Sequence, residues 1–398
     1  MNWQKNEFKE YLAQTSPEPM LFQPERGEGV FLIDKNGDKY LDLISGISVS
    51  ALGHCHPVVL EAVEAQLRKY AHTMVYGEFV LSPQVQLAKK LCSTLPDKLN
   101  NVYFVNSGSE AVEGAIKLAV KYTGRREIIS CYSAYHGSST GALSLMSDEY
   151  YTQGYKPFLP EVKHIHFNQI ESLKAISENT AAVFIEPVQG EAGYLPADQQ
   201  FLEALSAKCT ETGCLLVFDE IQSGMGRTGK LWAFEHSGIV PDILLSAKGL
   251  GGGLPLGAFI TSREIMSVFT DQPILGHITT FGGNPVSCAA SLATLETIID
   301  GGIVDAVAAK EDLFRKLLAD GGLGQLTGKG LMLGLPAGTF EETKAIVAKC
   351  LEYGLITDWF LFETGKLRIS PPLIISPEEI ELACSIIISA FKDVFGRK

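Results

Sequence analysis

Residues 101–124 read NVYFVNSGSEAVEGAIKLAVKYTG, and the fold class can be inferred outward from this stretch. Asn101–Val105 is a short apolar run, which predicts a buried strand. In residues 109–123, apolar or small side chains recur at helical spacing, which predicts one face of a helix that ends at Gly124. Residues 106–110 therefore join the end of a strand to the start of a helix.

The same alternation of strand and helix continues through the middle of the chain. A further helix is expected to run to Thr212 and to stop at Gly213. Further short apolar runs predict strands at Ile128–Cys131, Ala181–Ile185, Leu215–Phe218 and Ile243–Leu245. Buried strands that alternate with helices indicate βαβ units, so we expect an α/β fold built on a mostly parallel sheet.

The two ends of the chain do not show this regular alternation of strands and helices. Gly330–Leu335 and Lys366–Ser370 read as strands, and helices are expected near 303–319 and 377–395, which indicates a smaller α+β domain. Residues 35–38 (KNGD) lie between two apolar runs and predict a hairpin. We therefore expect three parts: an N-terminal arm with a short hairpin that belongs to the small domain (1–45), a large α/β domain (46–285) and a small C-terminal α+β domain (286–398).

The composition narrows the function classes. The chain has 398 residues, 46% of them hydrophobic and 20% charged, which is typical of a globular protein with a large core. Its net charge of −13 opposes binding to a phosphate backbone, so no nucleic-acid partner is expected. No apolar run approaches the roughly 18–20 residues that span a bilayer, and the N-terminus lacks the apolar core of a signal peptide, so no membrane partner is expected. The eight cysteines are scattered without a CxxC pair, which is typical of reduced thiols in a cytoplasmic protein.

Two motifs invite other interpretations. Residues 224–229 (GMGRTG) form a literal GxGxxG after a strand, but a dinucleotide site needs a helix directly after it and an acid about 20 residues on. The same stretch lacks the Ser or Thr of a Walker A loop, because Leu231 follows Lys230. His54-Cys55-His56 resembles a metal cluster, but adjacent residues rarely converge on one ion, so no metal is expected. A nucleotide-binding protein built on this glycine loop stays the weakest alternative.

Three polar residues stand at the ends of otherwise apolar strands: Glu186, Asp219 and Lys248. Because the carboxyl ends of parallel strands line the ligand crevice, we expect these side chains to lie together. The junction at 106–110 offers backbone N–H groups and a hydroxyl to a phosphate, and Tyr135 offers an aromatic face. A phosphate cradle, an amine, a carboxylate and an aromatic ring fit pyridoxal phosphate, whose aldehyde would join the lysine while the aspartate keeps the ring nitrogen protonated.

The chain resembles the class III aminotransferases, the ornithine, acetylornithine and 4-aminobutyrate group, over nearly its whole length. The motifs that carry the resemblance occur in the family's order: GHCHP at 53–57, NSGSEA at 106–111, YHG at 135–137, EPVQGEAG at 186–193, FDEIQSGMGRTG at 218–229, SAKG at 246–249 and TTFGGNP at 279–285. The resemblance implies the type I fold of enzymes dependent on pyridoxal 5'-phosphate, with a large and a small domain. It also implies a homodimer with shared active sites.

The resemblance assigns roles to single residues. Lys248 would be the catalytic lysine that forms the Schiff base and moves the proton, and Asp219 would pair with the pyridine nitrogen. The other cofactor-binding residues would be Gly108 and Ser109 at the phosphate, Tyr135 on the ring, Gln222 at the 3-hydroxyl, Glu186 in the same site, and Thr280 at the phosphate of the partner subunit.

Four further positions bear on the substrates. Arg368 matches the arginine that grips the α-carboxylate of glutamate or 2-oxoglutarate, and Glu191 matches the glutamate that pairs with this arginine and releases it. Ser138 stands where the 4-aminobutyrate and acetylornithine enzymes carry an arginine for the donor's carboxylate, and losing that ion pair removes about 1.5–3 kcal/mol. Ile47 stands where the ornithine enzymes have a tyrosine, which disfavours free ornithine.

We therefore expect a transaminase that moves an amino group from a terminal amine to an oxo acid. N-acetylornithine or a related ω-amino compound is the expected donor, and 2-oxoglutarate or pyruvate the acceptor. One alternative is another class III enzyme, namely a diamine or amine:pyruvate aminotransferase, an aminomutase or a decarboxylase. Another is a catalytically silent homologue, which would stay colourless when the cofactor is added.

Overall fold

A seven-stranded sheet forms the centre of the computed structural model, which describes residues 3–396. All adjacent strands are parallel except where Gly257–Thr261 runs antiparallel to both of its neighbours. The predicted α/β fold with a mostly parallel sheet is therefore confirmed. The spatial order of the strands is Asn101–Val105, Gly257–Thr261, Ile243–Ser246, Leu215–Asp219, Thr180–Ile185, Glu127–Cys131 and Val162–Ile165.

The first strand–helix unit shows how local sequence sets this architecture. The helix Gly108–Thr123 begins after Ser107, whose hydroxyl accepts a hydrogen bond from the backbone N–H of Glu110 at 3.2 Å. It ends at Gly124 in the left-handed conformation, and its small side chains are buried as predicted. Tyr122 continues the apolar spacing of this face, but it is 38% exposed. Its hydroxyl donates to a surface carboxylate, which keeps the polar end of the ring at the surface.

Helices connect and cover the strands. The α-helices of the described residues are Trp3–Tyr11, Pro57–Leu67, Ser82–Ser93, Gly108–Thr123, Thr140–Ser144, Glu149–Thr152, Gln199–Thr212, Arg263–Met266, Pro285–Asp300, Val307–Asp320, Phe340–Glu352 and Pro377–Phe395. Single turns of 3-10 helix occur at Gln153–Tyr155, Ile170–Ala175, Ala233–His236, Lys248–Gly251, Ser267–Thr270 and Val304–Ala306. Within residues 3–396, none of the helices has the length and apolar character needed to cross a membrane.

Strands from the two ends of the chain pair with each other. The predicted hairpin forms from Phe31–Asp34 and Lys39–Asp42. Its sheet is extended by Pro24–Glu28 on one side and by Leu355–Ile356 on the other. The remaining sheets are Thr327–Lys329 with Met332–Pro336 and Lys366–Ile369, and Val188–Gln189 with Leu195–Pro196.

The domain boundaries after residues 45 and 285 stay predictions. The N-terminal hairpin shares a sheet with a C-terminal strand, which is the arrangement expected if both belong to the small domain. The helix Pro285–Asp300 packs on Pro57–Leu67 and Ser82–Ser93, so contacts with the large domain continue past residue 285. Residues 1, 2, 397 and 398, at the outer ends of the predicted domains, lie outside the described residues.

Neither of the two ambiguous motifs has the geometry of the site that it resembles. The glycine loop at 224–229 leads to the 3-10 turn Ala233–His236 instead of opening a long helix. Its Arg227 is buried and donates to the backbone oxygens of Leu331 and Pro371, so the loop ties the central sheet to the C-terminal part. His54 pairs through Nε2 with the Asp42 carboxylate at 2.9 Å.

Candidate active site

Glu186, Asp219 and Lys248 come together at one edge of the central sheet, as predicted from the strand ends. The strands that precede them are adjacent and parallel, which aligns their carboxyl ends. All three residues line one cavity of ≈ 360 Å³. The other predicted cofactor-binding residues on the wall of this cavity are Gly108, Ser109, Tyr135 and Gln222.

The N-terminus of the helix Gly108–Thr123 forms one wall of the cavity. A Cβ on Gly108 would lie 2.8 Å from Ile221 Cδ1, so a side chain there would displace this isoleucine, which also lines the cavity. Gly137 has a φ of +135°, and a Cβ on it would overlap the Ser109 hydroxyl. Free N–H groups, the helix dipole and this hydroxyl therefore form an anion cradle, in which Gly137 keeps the space beside the hydroxyl open.

Asp219 is buried and held by two hydrogen bonds. One carboxylate oxygen lies 2.7 Å from His136 Nδ1, and the other accepts the backbone N–H of Ile221 at 3.0 Å. Burial lowers the pKa of His136, but the hydrogen bond and charge of Asp219 outweigh it, so the net shift of this pKa is upward. The motif at 135–137 contains His136, yet its partner lies 83 positions away, so the contact was not predicted from the sequence.

Lys248 follows its strand in a strained backbone conformation. Its φ of +46° lies in the left-handed region, which a lysine rarely adopts and which is common at functional sites. Burial lowers the pKa of Lys248, although the nearby Glu191 carboxylate opposes this shift. A lowered pKa increases the fraction of neutral amine, the form that attacks a carbonyl carbon.

Glu186 supports the loop that carries Tyr135. Its carboxylate accepts the backbone N–H groups of Gly190 at 2.9 Å and of Tyr135 at 3.2 Å. Burial raises the pKa of Glu186 to about 7, against the lowering effect of His136. The Tyr135 hydroxyl lies 3.1 Å from the hydroxyl of Ser138, so both ends of the tyrosine are held.

Arg368 lies behind the cavity wall and is paired with Glu191. Its Nη2 lies 3.0 and 3.2 Å from the two Glu191 oxygens, and its Nη1 lies 3.4 Å from the side-chain oxygen of Gln222. Arg368 is only 2% exposed. Burial raises the pKa of Glu191, but the charge of Arg368 outweighs it, so the net pKa is lowered and the glutamate is ionised. The predicted partners are thus in contact.

Ile47 lies in an unusual turn. All four residues from Ser45 to Ser48 have positive φ, between 47° and 64°. The turn is fixed to the strand of Arg368, because the Ser45 and Ser48 hydroxyls bond the backbone and side-chain oxygens of Ser370, each at 2.6 Å. Ile47 is half-buried there and does not line the cavity.

Ser138 and Thr280 are exposed. Ser138 bonds the Tyr135 hydroxyl, and its backbone N–H donates to Ser109 at 3.1 Å, so its polar groups are used in holding the site. Thr280 does not line the cavity of its own chain. The contact of Thr280 with the phosphate of a partner subunit therefore stays a prediction.

Comparison with known proteins gives one consistent family. The family model described as Aminotransferase class-III matches residues 12–391. Acetylornithine aminotransferase of Methanopyrus kandleri is 40% identical over 92% of this chain and 93% of its own length. The enzyme of the same name from Archaeoglobus fulgidus is 38% identical over 98% of this chain and 100% of its own length. Ornithine aminotransferase from Toxoplasma gondii superposes with a TM-score of 0.91 at 28% identity, covering 98% of this chain and 94% of that one. The fold predicted from the resemblance is confirmed.

Proposed function

We propose a donor and an acceptor for this chain on the premise that it belongs to the class III aminotransferase family and is a transaminase. Pyridoxal 5'-phosphate is the cofactor, and the cavity fits it. The cradle at Gly108 and Ser109 suits a phosphate, and the buried Asp219 suits a protonated ring nitrogen. The observation that carries this fit is Gly137, where a Cβ would overlap the Ser109 hydroxyl of the cradle.

The cofactor, when bound, supplies an aldehyde for amines and a ring that withdraws electrons. Lys248 would supply the nucleophilic amine for that aldehyde, and its free amine would be the general base and acid that takes up and returns the substrate's proton. Asp219 keeps the proton on the ring nitrogen, and His136 holds Asp219 in place. Tyr135, fixed by Glu186, covers one face of the cavity.

The ion pair between Arg368 and Glu191 distinguishes the oxo-acid substrate from the amine substrate. An oxo acid such as 2-oxoglutarate presents a carboxylate that competes with Glu191 for the guanidinium. An ω-amine has no carboxylate beside its reacting carbon, so the pair stays closed when this donor binds. One cavity can therefore accept both substrates.

N-acetylornithine is the proposed donor, because relatives that share about two fifths of this sequence carry the name acetylornithine aminotransferase. A second donor class is favoured by Ser138. Apart from Lys248 and from His136, which is paired with Asp219, the described lining of the cavity has no side chain that can be cationic. An aliphatic diamine is therefore accommodated without an unpaired charge on the protein.

A donor panel tests these assignments. N-acetylornithine, 4-aminobutyrate and putrescine are each assayed with 2-oxoglutarate and with pyruvate, and the new amino acid is quantified. We expect N-acetylornithine with 2-oxoglutarate to give the highest kcat/KM. If putrescine gives a higher kcat/KM than N-acetylornithine, a diamine replaces N-acetylornithine as the proposed donor. If no amine donates to any oxo acid, the proposed function is wrong.

The matched variant is Ser138→Arg. If the wild-type enzyme lacks a carboxylate contact at this end, the new guanidinium raises kcat/KM for 4-aminobutyrate by about tenfold or more, with putrescine unchanged or worse. An unchanged kcat/KM for 4-aminobutyrate would show that the part of the site around Ser138 does not contact the donor.

We also propose a cytoplasmic homodimer with shared active sites. Residues 71–85 and 274–283 lie side by side, since Gln84 Nε2 donates to Gly283 O at 2.8 Å and the rings of His72 and Phe281 are 4.7 Å apart. This face carries exposed apolar side chains next to Thr280, namely Phe79, Val80, Val85, Ile274, Leu275, Ile278 and Phe281. An apolar face of this kind marks an interface, and a second copy seated there would bring Thr280 towards the partner's cradle.

A further inference from the structure

Arg368 has a second carboxylate partner that no motif predicts. Its Nε donates to Asp358 Oδ1 at 2.8 Å, whereas the bonds to Glu191 come from Nη2. The Phe360 ring centroid lies 4.5 Å from Arg368 Cζ, and the Trp359 backbone oxygen accepts from Nη2 at 3.2 Å. The guanidinium is therefore held on every edge.

The two carboxylate residues differ in how their backbones are connected to Arg368. Asp358 is joined to Arg368 by the backbone, because the N–H of Arg368 donates to the Asp358 backbone oxygen at 2.9 Å. The neighbouring Thr357 hydroxyl donates to the Arg368 backbone oxygen at 2.7 Å. Glu191 instead lies on the loop after Val188–Gln189, and its carboxylate also accepts the Leu361 backbone N–H at 3.1 Å, a bond independent of Arg368 that can keep it in the pocket when it leaves the guanidinium.

The charges of Arg368, Glu191 and Asp358 indicate what Asp358 does. With Glu191 closed, one guanidinium faces two carboxylates, so these three side chains, counted without Lys248, carry a net charge of −1. When an acid binds, Glu191 moves aside but stays in the pocket, and a third carboxylate enters. Acid binding therefore raises the negative charge near Asp358, and repulsion between unit charges is strong where water is scarce.

From this arrangement we propose that Asp358 is a positioning and specificity-determining residue. It aligns the guanidinium through Nε and weakens the hold of Arg368 on α-carboxylates, so that Glu191 can displace the product acid and a cationic ω-amine is admitted. This inference rests on the proposed function, in which Arg368 is the acid-binding residue.

The test compares Asp358→Asn with the unchanged chain, both loaded with cofactor. An asparagine keeps an oxygen that accepts from Nε but removes the charge. It leaves Arg368 paired one-to-one with Glu191, so folding is preserved. Binding of glutarate, a five-carbon diacid that cannot react, is measured by calorimetry, and KM is measured for 2-oxoglutarate and for the ω-amine donor.

We expect Asp358→Asn to tighten glutarate binding and to lower KM for 2-oxoglutarate by about tenfold, the size expected for removing one nearby charge in a partly buried site. KM for the ω-amine should stay the same or rise. Asp358→Ala should lose the alignment as well, with a lower kcat for the acid half-reaction. Unchanged or weaker glutarate binding in Asp358→Asn would overturn the proposal.

Arg368→Gln separates the two possible failures. If Arg368→Gln abolishes glutarate binding while Asp358→Asn changes nothing, Arg368 binds acids and only the role of Asp358 is wrong. If Arg368→Gln leaves glutarate binding intact, the acid site of the proposed function is itself wrong. Thermal unfolding of each variant confirms that the comparison concerns folded protein.

Discussion

At the residue scale, the chemistry depends on one lysine amine held beside one buried aspartate. Lys248→Ala removes the nucleophile and the proton carrier but leaves the anion cradle, Asp219 and Tyr135 in place. We expect this variant to bind the cofactor without a covalent bond and to lose about 10³-fold or more of kcat. The measurements are the visible spectrum and the turnover rate, with the exposed Lys230→Ala as the control. Full activity in Lys248→Ala would contradict the mechanism.

A buried glutamate next to the site gives a prediction about pH. Burial raises the pKa of Glu220 to about 8, although hydrogen bonds from the backbone N–H groups of Ala233 and Phe234 lower it. Because this pKa lies above its unfolded value of about 4.3, the folded protein binds the proton more tightly. This contribution to the free energy of unfolding is therefore largest below pH ~4.3 and is lost as the pH rises to about 8. The raised pKa of Glu186, about 7, acts in the same direction.

Glu220→Gln should flatten this dependence, because an amide does not titrate. The free energy of unfolding is measured in urea between about pH 5 and about pH 9. As the pH rises over this range, Glu220→Gln should lose less of this free energy than the unchanged chain does. The glutamine loses one acceptor, so the variant is less stable at every pH, and the slope is the informative quantity. Glu178→Gln, at an exposed position, is the control. Equal slopes for Glu220→Gln and the control would contradict the raised pKa.

Some residues of the site could be predicted and others could not, for a physical reason. Asp219 and Lys248 end apolar strands, and strand ends gather at one edge of a parallel sheet, so their proximity follows from a local pattern. His136 and Asp358 act through partners whose positions depend on how distant segments pack. No spacing in the sequence encodes those contacts.

At the element scale, the cradle depends on the close approach of a helix N-terminus and the loop that carries Tyr135. Gly137 makes this approach possible, since any side chain there overlaps the Ser109 hydroxyl and its φ of +135° suits only glycine. We expect Gly137→Ala to weaken cofactor binding by about tenfold or more, because it displaces one phosphate ligand. Cofactor titration measures this effect.

Gly154→Ala is the matched control for that variant, because a Cβ at this position meets no atom within 4 Å. It should bind the cofactor as the unchanged chain does. If Gly137→Ala also binds normally, the hydroxyl of Ser109 is not a phosphate ligand, and the cradle consists of backbone N–H groups alone.

The strands and helices were largely predictable from local pattern, and the contacts between remote elements were not. The helix Gly108–Thr123 forms where apolar spacing and Gly124 place it. The positive-φ turn at 45–48 has no such signal beyond one glycine, because it is held by bonds to Ser370, more than 300 positions away. Strain of this kind persists only where the surrounding structure imposes it.

At the scale of the whole molecule, the proposed dimer predicts that association and activity are lost together. Phe281 is 56% exposed on the apolar face beside Thr280. Phe281→Asp places a charge at the centre of the proposed interface, so we expect monomers and a loss of kcat/KM of at least about tenfold. Sedimentation and steady-state kinetics measure the two effects.

The control for this variant is Leu382→Asp, at a similarly exposed position on the helix Pro377–Phe395. Leu382→Asp should leave both the molecular mass of the oligomer in solution and the activity unchanged. Thr280→Ala completes the comparison, because it should remain dimeric while cofactor affinity falls. A Phe281→Asp monomer with full activity would contradict shared active sites.

The central claim is that an ω-amine leaves its amino group on the cofactor, with Lys248 as the group that it displaces and as the proton carrier. A single-turnover spectrum tests it directly: cofactor-loaded protein is mixed with N-acetylornithine without an acceptor, and the absorption of the lysine-bound cofactor is followed. We predict rapid loss of that band and its return on adding 2-oxoglutarate. Lys248→Ala, which lacks the lysine-bound band from the start, should show no amino transfer to 2-oxoglutarate. A band that persists with N-acetylornithine and with diamines alike would contradict the account.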